Sequence, residues 1–102
     1  AEADRGRGFC IFANNVILVH HLKKKHGLKR VAIVDWDVHH GNSQEGAFLR
    51  DPTTLTISLH QDNYYPPMSG ALSQNGEGPG AGANINVPLP PGSGHGAYVD
   101  AW

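Results

Sequence analysis

Apolar residues come in short runs set off by charge and glycine, and their spacing changes along the chain. Between Ile11 and His26, Val16, Val19 and Leu22 recur at helical spacing, with Ile17 and Leu18 beside them, which predicts a helix with a broad apolar stripe. Lys23, Lys24, Lys25 and His26 fall in its last turns, where cations suit the helix dipole, and Gly27 supplies the stop. The β-branched run VAIVD at 31–35, bounded by charge, predicts a buried strand. A short helix is expected over Ser43 to Leu49, ending before Asp51-Pro52. Further strands are expected at Leu55 to Leu59 and at Ile85 to Val87. Gly94 to Trp102 reads as the opening of another helix. Strand, helix, strand with short connections is the pattern of an α/β protein with a parallel sheet.

Composition divides the chain in two. Residues 1–65 hold five glycines and one proline, whereas residues 66–96 hold eight glycines and six prolines. Order is therefore expected over about 8–65, and a long loop, broken by one extended stretch, over about 66–96. The whole of 1–102 reads as one partial domain. Lysine plus arginine is 8 against 9 acidic residues, a net charge of -1, which argues against a nucleic-acid surface. The basic run Lys23 to Lys25 reads as a solvated helix end. No apolar run is long enough to span a bilayer. A single cysteine, Cys10, excludes an intrachain disulfide and fits a reducing, cytoplasmic compartment. Buried free cysteine is common, and no base stands beside Cys10 in sequence, so packing is its simpler reading.

Seven histidines change the picture by their placement. Asp35, Asp37 and His39 follow the VAIVD strand at spacing two, and in extended backbone alternate side chains share a face. They also leave the carboxyl end of a strand, where open α/β sheets bind ligands. Carboxylate and imidazole two residues apart suit a divalent ion such as zinc, with Asp35, deeper in the strand, oriented to support a neighbour. The same residues read equally well as a polar loop in which Asp37 caps a helix and His39 and His40 are exposed. His60 ends the next strand, facing the same crevice or buried as a structural histidine. Ser58 and Leu59 offer a hydroxyl and carbonyls to a second, harder cation. His20, His21, His26 and His95 read as surface or packing residues.

The segments GFCIFANN at 8–15, RVAIVDWDVHHGNSQEGAF at 30–48, DPTTLTISLHQD at 51–62 and the glycine-rich GEGPGAGANINVPLPPGSG resemble the histone deacetylase superfamily. The class II and bacterial histone-deacetylase-like amidohydrolases, acetylpolyamine deacetylases among them, are the nearest in pattern. The resemblance implies an arginase/deacetylase-like α/β fold, an open parallel sheet with flanking helices, of which this chain holds a part. It implies hydrolysis of the acetamide of acetyl-lysine or a related acetylated amine by a zinc-activated water, releasing acetate. Carried onto this chain, Asp37 and His39 match two zinc ligands. Asp35 and Asn42 match residues that orient a pair of catalytic histidines. Asp35, Asp37, His39, Ser58 and Leu59 match the surroundings of a monovalent cation, usually potassium, and Phe48 matches a residue at a second such site. Gly8 and Phe9 match the lining of the substrate tunnel, with Tyr65 near its opposing aromatic wall.

The same resemblance places the histidine pair before AEADRGRGFC, and the third zinc ligand and the oxyanion tyrosine beyond Trp102. A central fragment is therefore expected, inactive alone, of a parent that is a deacetylase of acetyl-lysine, acetylpolyamines or other small amides. The alternative from a different class is a non-catalytic metal-binding or structural module that assembles as a homo-oligomer to cover exposed sheet edges.

Overall fold

Three parallel strands carry the molecule, and the middle one is its centre. The structure, a computed structural model, describes residues 1–102. In chain order it contains α1 (Asn14–His26), β1 (Val31–Asp35), α2 (Asn42–Phe48), β2 (Thr54–Gln61), a 3-10 turn (Gly78–Gly80), β3 (Asn84–Leu89) and α3 (His95–Ala101). The sheet order is β1-β2-β3, and the register sets Asp35 beside Ser58 and Ser58 beside Asn86. This is an α/β fold with helices flanking a parallel sheet.

Burial in β2 inverts the usual rule. Thr54, Thr56, Ser58 and His60 alternate along one face and are all buried, as are Asn84 and Asn86 beside them on β3. Gln44, Glu45 and Phe48 of α2 cover this polar face, together with the loop that carries Ser69 and Gly70. On the opposite, apolar face, Leu59 is buried while Ile85 is 43% exposed. The buried apolar set comprises Val19, Phe48, Leu59 and Leu89. Polar side chains in such a place must be hydrogen-bonded to one another, because water is not there to do it.

Several sequence expectations are corrected here. β1 is half-buried instead of fully buried, because it is an edge strand. The α1 stripe is narrow: Val19 alone is buried, and Ile17 and Leu18 face outward. The helix starts at Asn14, not Ile11, because Gly8 and Phe9 both take left-handed backbone and Arg7 and Cys10 close a small bridged loop. Cys10 is exposed on that loop. The helix stops at Gly27 as the pattern predicts.

Lys23 is not a free solvated helix end but is ion-paired. Its ammonium donates to Asp51 at 2.7 Å and to the Thr53 and Thr54 hydroxyls at 2.6 Å each, pinning α1 to the start of β2. Burial pushes the Asp51 carboxyl up, but hydrogen bonds from Lys23, Thr53 and Thr54 outweigh it and hold the group well below the ordinary carboxylate range. The folded value lies below the unfolded one, so this stabilisation is complete above the ordinary value of 3.8 and is lost as pH falls through the folded value. Water still reaches both groups, which limits the expected cost of Asp51→Asn to about 1 kcal/mol near neutral pH. Urea unfolding should show the two proteins converging in stability below about pH 4, and a constant gap down to pH 2 would contradict the assignment.

Candidate active site

The carboxyl ends of β1 and β2 open into two loops that are tied together. The Gln61 N–H donates to the Val38 carbonyl, and the His40 N–H to the Tyr65 carbonyl. Strand geometry ends at Asp35, and the next five residues turn instead of extending. The three side chains expected to share a face are therefore separated. Asp35 turns toward α2, where its Oδ2 accepts from Gln44 Nε2 at 2.8 Å, while its Oδ1 accepts the Asp37 N–H at 3.1 Å. Asp37 and His39 do meet: Asp37 Oδ1 accepts the His39 N–H at 2.8 Å and stands 3.0 Å from His39 Nδ1. Both side chains are open to solvent.

Tyrosines frame this pair. Tyr64 stacks on the His39 ring at 5.4 Å between centroids, and Tyr65 meets it edge-on at 5.7 Å. Gly8 and Phe9 lie on the exposed loop before α1, with the Phe9 ring fully exposed. Asn42, at the start of α2, donates from Nδ2 to Glu2 Oε1 at 3.0 Å. Glu2 is in turn held by Arg5 and Arg7, and the Arg5 hydrogen bond keeps its carboxyl below the ordinary range. Phe48 sits at the far end of α2, packed on the His20 ring and under the Lys23 ammonium.

Beneath the pair lies a polar network that reading the sequence did not find. His40, expected to be exposed if the segment were a simple polar loop, is buried. Its Nε2 donates to Glu45 Oε2 at 3.2 Å and its Nδ1 accepts from the Ser69 hydroxyl at 2.6 Å. The same Glu45 oxygen accepts from Asn86 Nδ2 at 2.6 Å and Asn84 Nδ2 at 2.9 Å. Burial raises the Glu45 carboxyl, yet the bonds from His40 and Asn86 overcome this and leave it below its ordinary value. His60 takes the structural alternative. Its Nε2 donates to the Gly70 carbonyl at 3.0 Å, and its Nδ1 faces the Ser58 hydroxyl at 3.0 Å. Burial pushes His60 below the ordinary histidine range. The Ser58 hydroxyl also accepts the Gly41 N–H at 3.1 Å, which fastens α2 to β2.

The donor set can be tested against zinc. Two ligands on one tetrahedral zinc ion stand about 3.3 Å apart, given metal–ligand bonds of about 2.0 Å. The 3.0 Å separation of Asp37 Oδ1 and His39 Nδ1 is close to that, and carboxylate with imidazole is the right chemistry. The pair therefore fits as half of a ligand set. No group of three or more His, Cys, Asp or Glu side chains in the chain converges to hold a metal.

Candidate ligands at the carboxyl rim of a parallel sheet stand where open α/β proteins place their binding sites, which defines the class as an α/β protein with a rim site. The chain belongs to the histone deacetylase family: the histone deacetylase domain matches residues 1–102. It is 48% identical over 98 residues to a histone deacetylase-like amidohydrolase of Pseudomonas aeruginosa, a match covering 96% of this chain and 26% of that protein. Among solved structures it superposes on a histone deacetylase homologue from Aquifex aeolicus with a TM-score of 0.93 and 36% identity, over 99% of this chain and 27% of the other. An acetylpolyamine aminohydrolase from Burkholderia pseudomallei matches with a TM-score of 0.90 and 35% identity, over 98% and 29%. The chain thus spans a little over a quarter of the length of these relatives. No helix is long and apolar enough to cross a membrane.

Proposed function

We propose that these residues form the metal-binding part of a deacetylase that hydrolyses acetylated amines. The observation that carries this reading is the Asp37–His39 pair, set at the carboxyl rim of the sheet with its oxygen and nitrogen 3.0 Å apart. Asp37 Oδ1 and His39 Nδ1 would hold zinc. When bound, zinc supplies a polarised amide carbonyl and a water of lowered pKa. Tyr65 and Phe9 would give the substrate's methylene chain an apolar sleeve that excludes water while the acetamide is held at the pair.

Asn42 would present its amide oxygen to a histidine N–H, since Glu2 already takes its Nδ2, and Asp35 would orient a second histidine. The hydroxyl of Ser58 and the main chain of Leu59, with groups of Asp35, Asp37 and His39, would hold a monovalent cation such as potassium, and Phe48 would contribute to a second. Acetate and a free amine are the products. Acetylpolyamines and other small acetylated amines fit the likeness to the Burkholderia aminohydrolase, and acetyl-lysine belongs to the same chemical class.

A second reading, a structural or metal-binding module without turnover that associates with copies of itself, is favoured by the exposed Ile17, Leu18 and Ile85. Both readings agree that the 102 residues alone do not hydrolyse substrate. The reading is tested by isothermal titration of zinc into the metal-free chain. One site per chain is expected, weakened at least tenfold in His39→Ala. Absent binding, or binding that the substitution leaves unchanged, would overturn it.

A further inference from the structure

Between the metal pair and the surface of α1 runs a line of hydrogen bonds that crosses three elements. Asn15 Nδ2 donates to Gln44 Oε1 at 3.1 Å, and Gln44 Nε2 donates to Asp35 Oδ2 at 2.8 Å. Asp35 Oδ1 accepts the Asp37 N–H, and Asp37 Oδ1 accepts the His39 backbone N–H and faces the ring Nδ1 of the same residue. The direction of the line is fixed by chemistry. An ionised carboxylate only accepts, so Gln44 must turn its NH2 to Asp35 and its oxygen to α1, where Asn15 must then donate. Gln44 is itself buried, and its amide has no freedom to reverse.

We propose that Gln44 is a positioning residue for the Asp37–His39 metal pair, with Asn15 holding it from outside; this rests on the zinc reading above. The loop from Trp36 to His40 has no regular structure of its own. The carboxylate of Asp35 is the anchor for the first turn of that loop, and Gln44 fixes which way the carboxylate faces. Gly41 supports the same conclusion. A Cβ at that position would overlap Gln44 Nε2 and stand 2.8 Å from Asp35 Oδ2, so a side chain there and the Gln44–Asp35 bond exclude each other. The pair is exposed, so its affinity for metal depends on how well the backbone beneath is held.

The test uses the full chain with zinc alone, followed by Co2+ in its place. Gln44→Met removes both hydrogen bonds at similar volume, and Asn15→Ala cuts the line from an exposed position without disturbing the interior. Lys23→Met serves as the control for general loss of stability, since Lys23 lies away from the pair and pins α1 to β2. About tenfold weaker zinc binding is expected for Gln44→Met and a smaller loss for Asn15→Ala, with an altered Co2+ visible spectrum in both. In the Gln44→Met background, Asn15→Ala should add nothing. Wild-type affinity and spectrum in Gln44→Met, or an equal loss in Lys23→Met, would overturn the proposal while leaving the zinc reading intact. No zinc binding by the unaltered chain would overturn the reading and the proposal together.

Discussion

Glu45→Ala is expected to cost about 3–5 kcal/mol, enough to unfold much of a 102-residue domain. One oxygen of this carboxylate accepts from His40, Asn84 and Asn86, and all four residues are buried. Alanine leaves the His40 Nε2–H with no acceptor and takes one of the partners of each asparagine amide, which keep only the Gln74 and Ala71 carbonyls, and each lost partner in a water-poor interior is costly. It also uncouples α2 from β3, because Asn84 and Asn86 come from that strand and Glu45 from the helix. Glu45→Gln should be milder, about 1–3 kcal/mol, since an amide keeps one acceptor but turns an NH2 toward the same donors. Urea unfolding followed by circular dichroism measures both. A Glu45→Ala protein within 1 kcal/mol of wild type would show that the network is not what holds the sheet to the helix. Acid should act in the same direction. With the folded carboxyl below its ordinary value of 4.5, the stabilisation is present above that pH and is lost as pH falls through the folded value.

The element types were legible in the sequence because each carries a local signal. VAIVD is β-branched and bounded by charge, and Gly27 ends a lysine-rich turn. The Asp37–His39 pair was legible too, although for an incomplete reason. Spacing two suggested an extended strand, whereas a turn closed by the His39 N–H on Asp37 actually brings the two together. Asp35 shared the spacing and went elsewhere, since a strand that ends takes its alternation with it.

What the sequence hid was the polarity of the interior. The alternation Thr54, Thr56, Ser58, His60, with Asn84 and Asn86 at the same period, is plainly visible in the sequence. The usual inference from it, that the polar face meets water, points to the wrong side of the sheet. Nothing local announces that a glutamate 41 residues from Asn86 will cover that face. Lys23 was misread for the same reason: its partner, Asp51, lies 28 residues away.

Gly70→Ala should be strongly destabilising, costing about 3 kcal/mol or more. Gly70 adopts φ +81, where any side chain is strained, and its carbonyl accepts the His60 Nε2–H. A Cβ there would overlap His60 Nε2 and lie 2.8 Å from His40 Cγ, so neither ring could stay in place. The rings are already tilted against each other at 4.7 Å between centroids, and both are hydrogen-bonded at both nitrogens. A shift in one therefore breaks bonds in the other and reaches Glu45.

Strain and collision can be separated within the same chain. Gly82 has a nearly identical φ of +84, but a Cβ there meets nothing within 4 Å. Gly82→Ala should cost about 1 kcal/mol from backbone strain alone. The excess in Gly70→Ala then measures the histidine contact, and it should be accompanied by weaker zinc binding, because His40 is the neighbour of His39 in the chain. Equal costs for the two substitutions would mean that the loop at Gly70 yields easily and that the two histidines do not depend on its close approach.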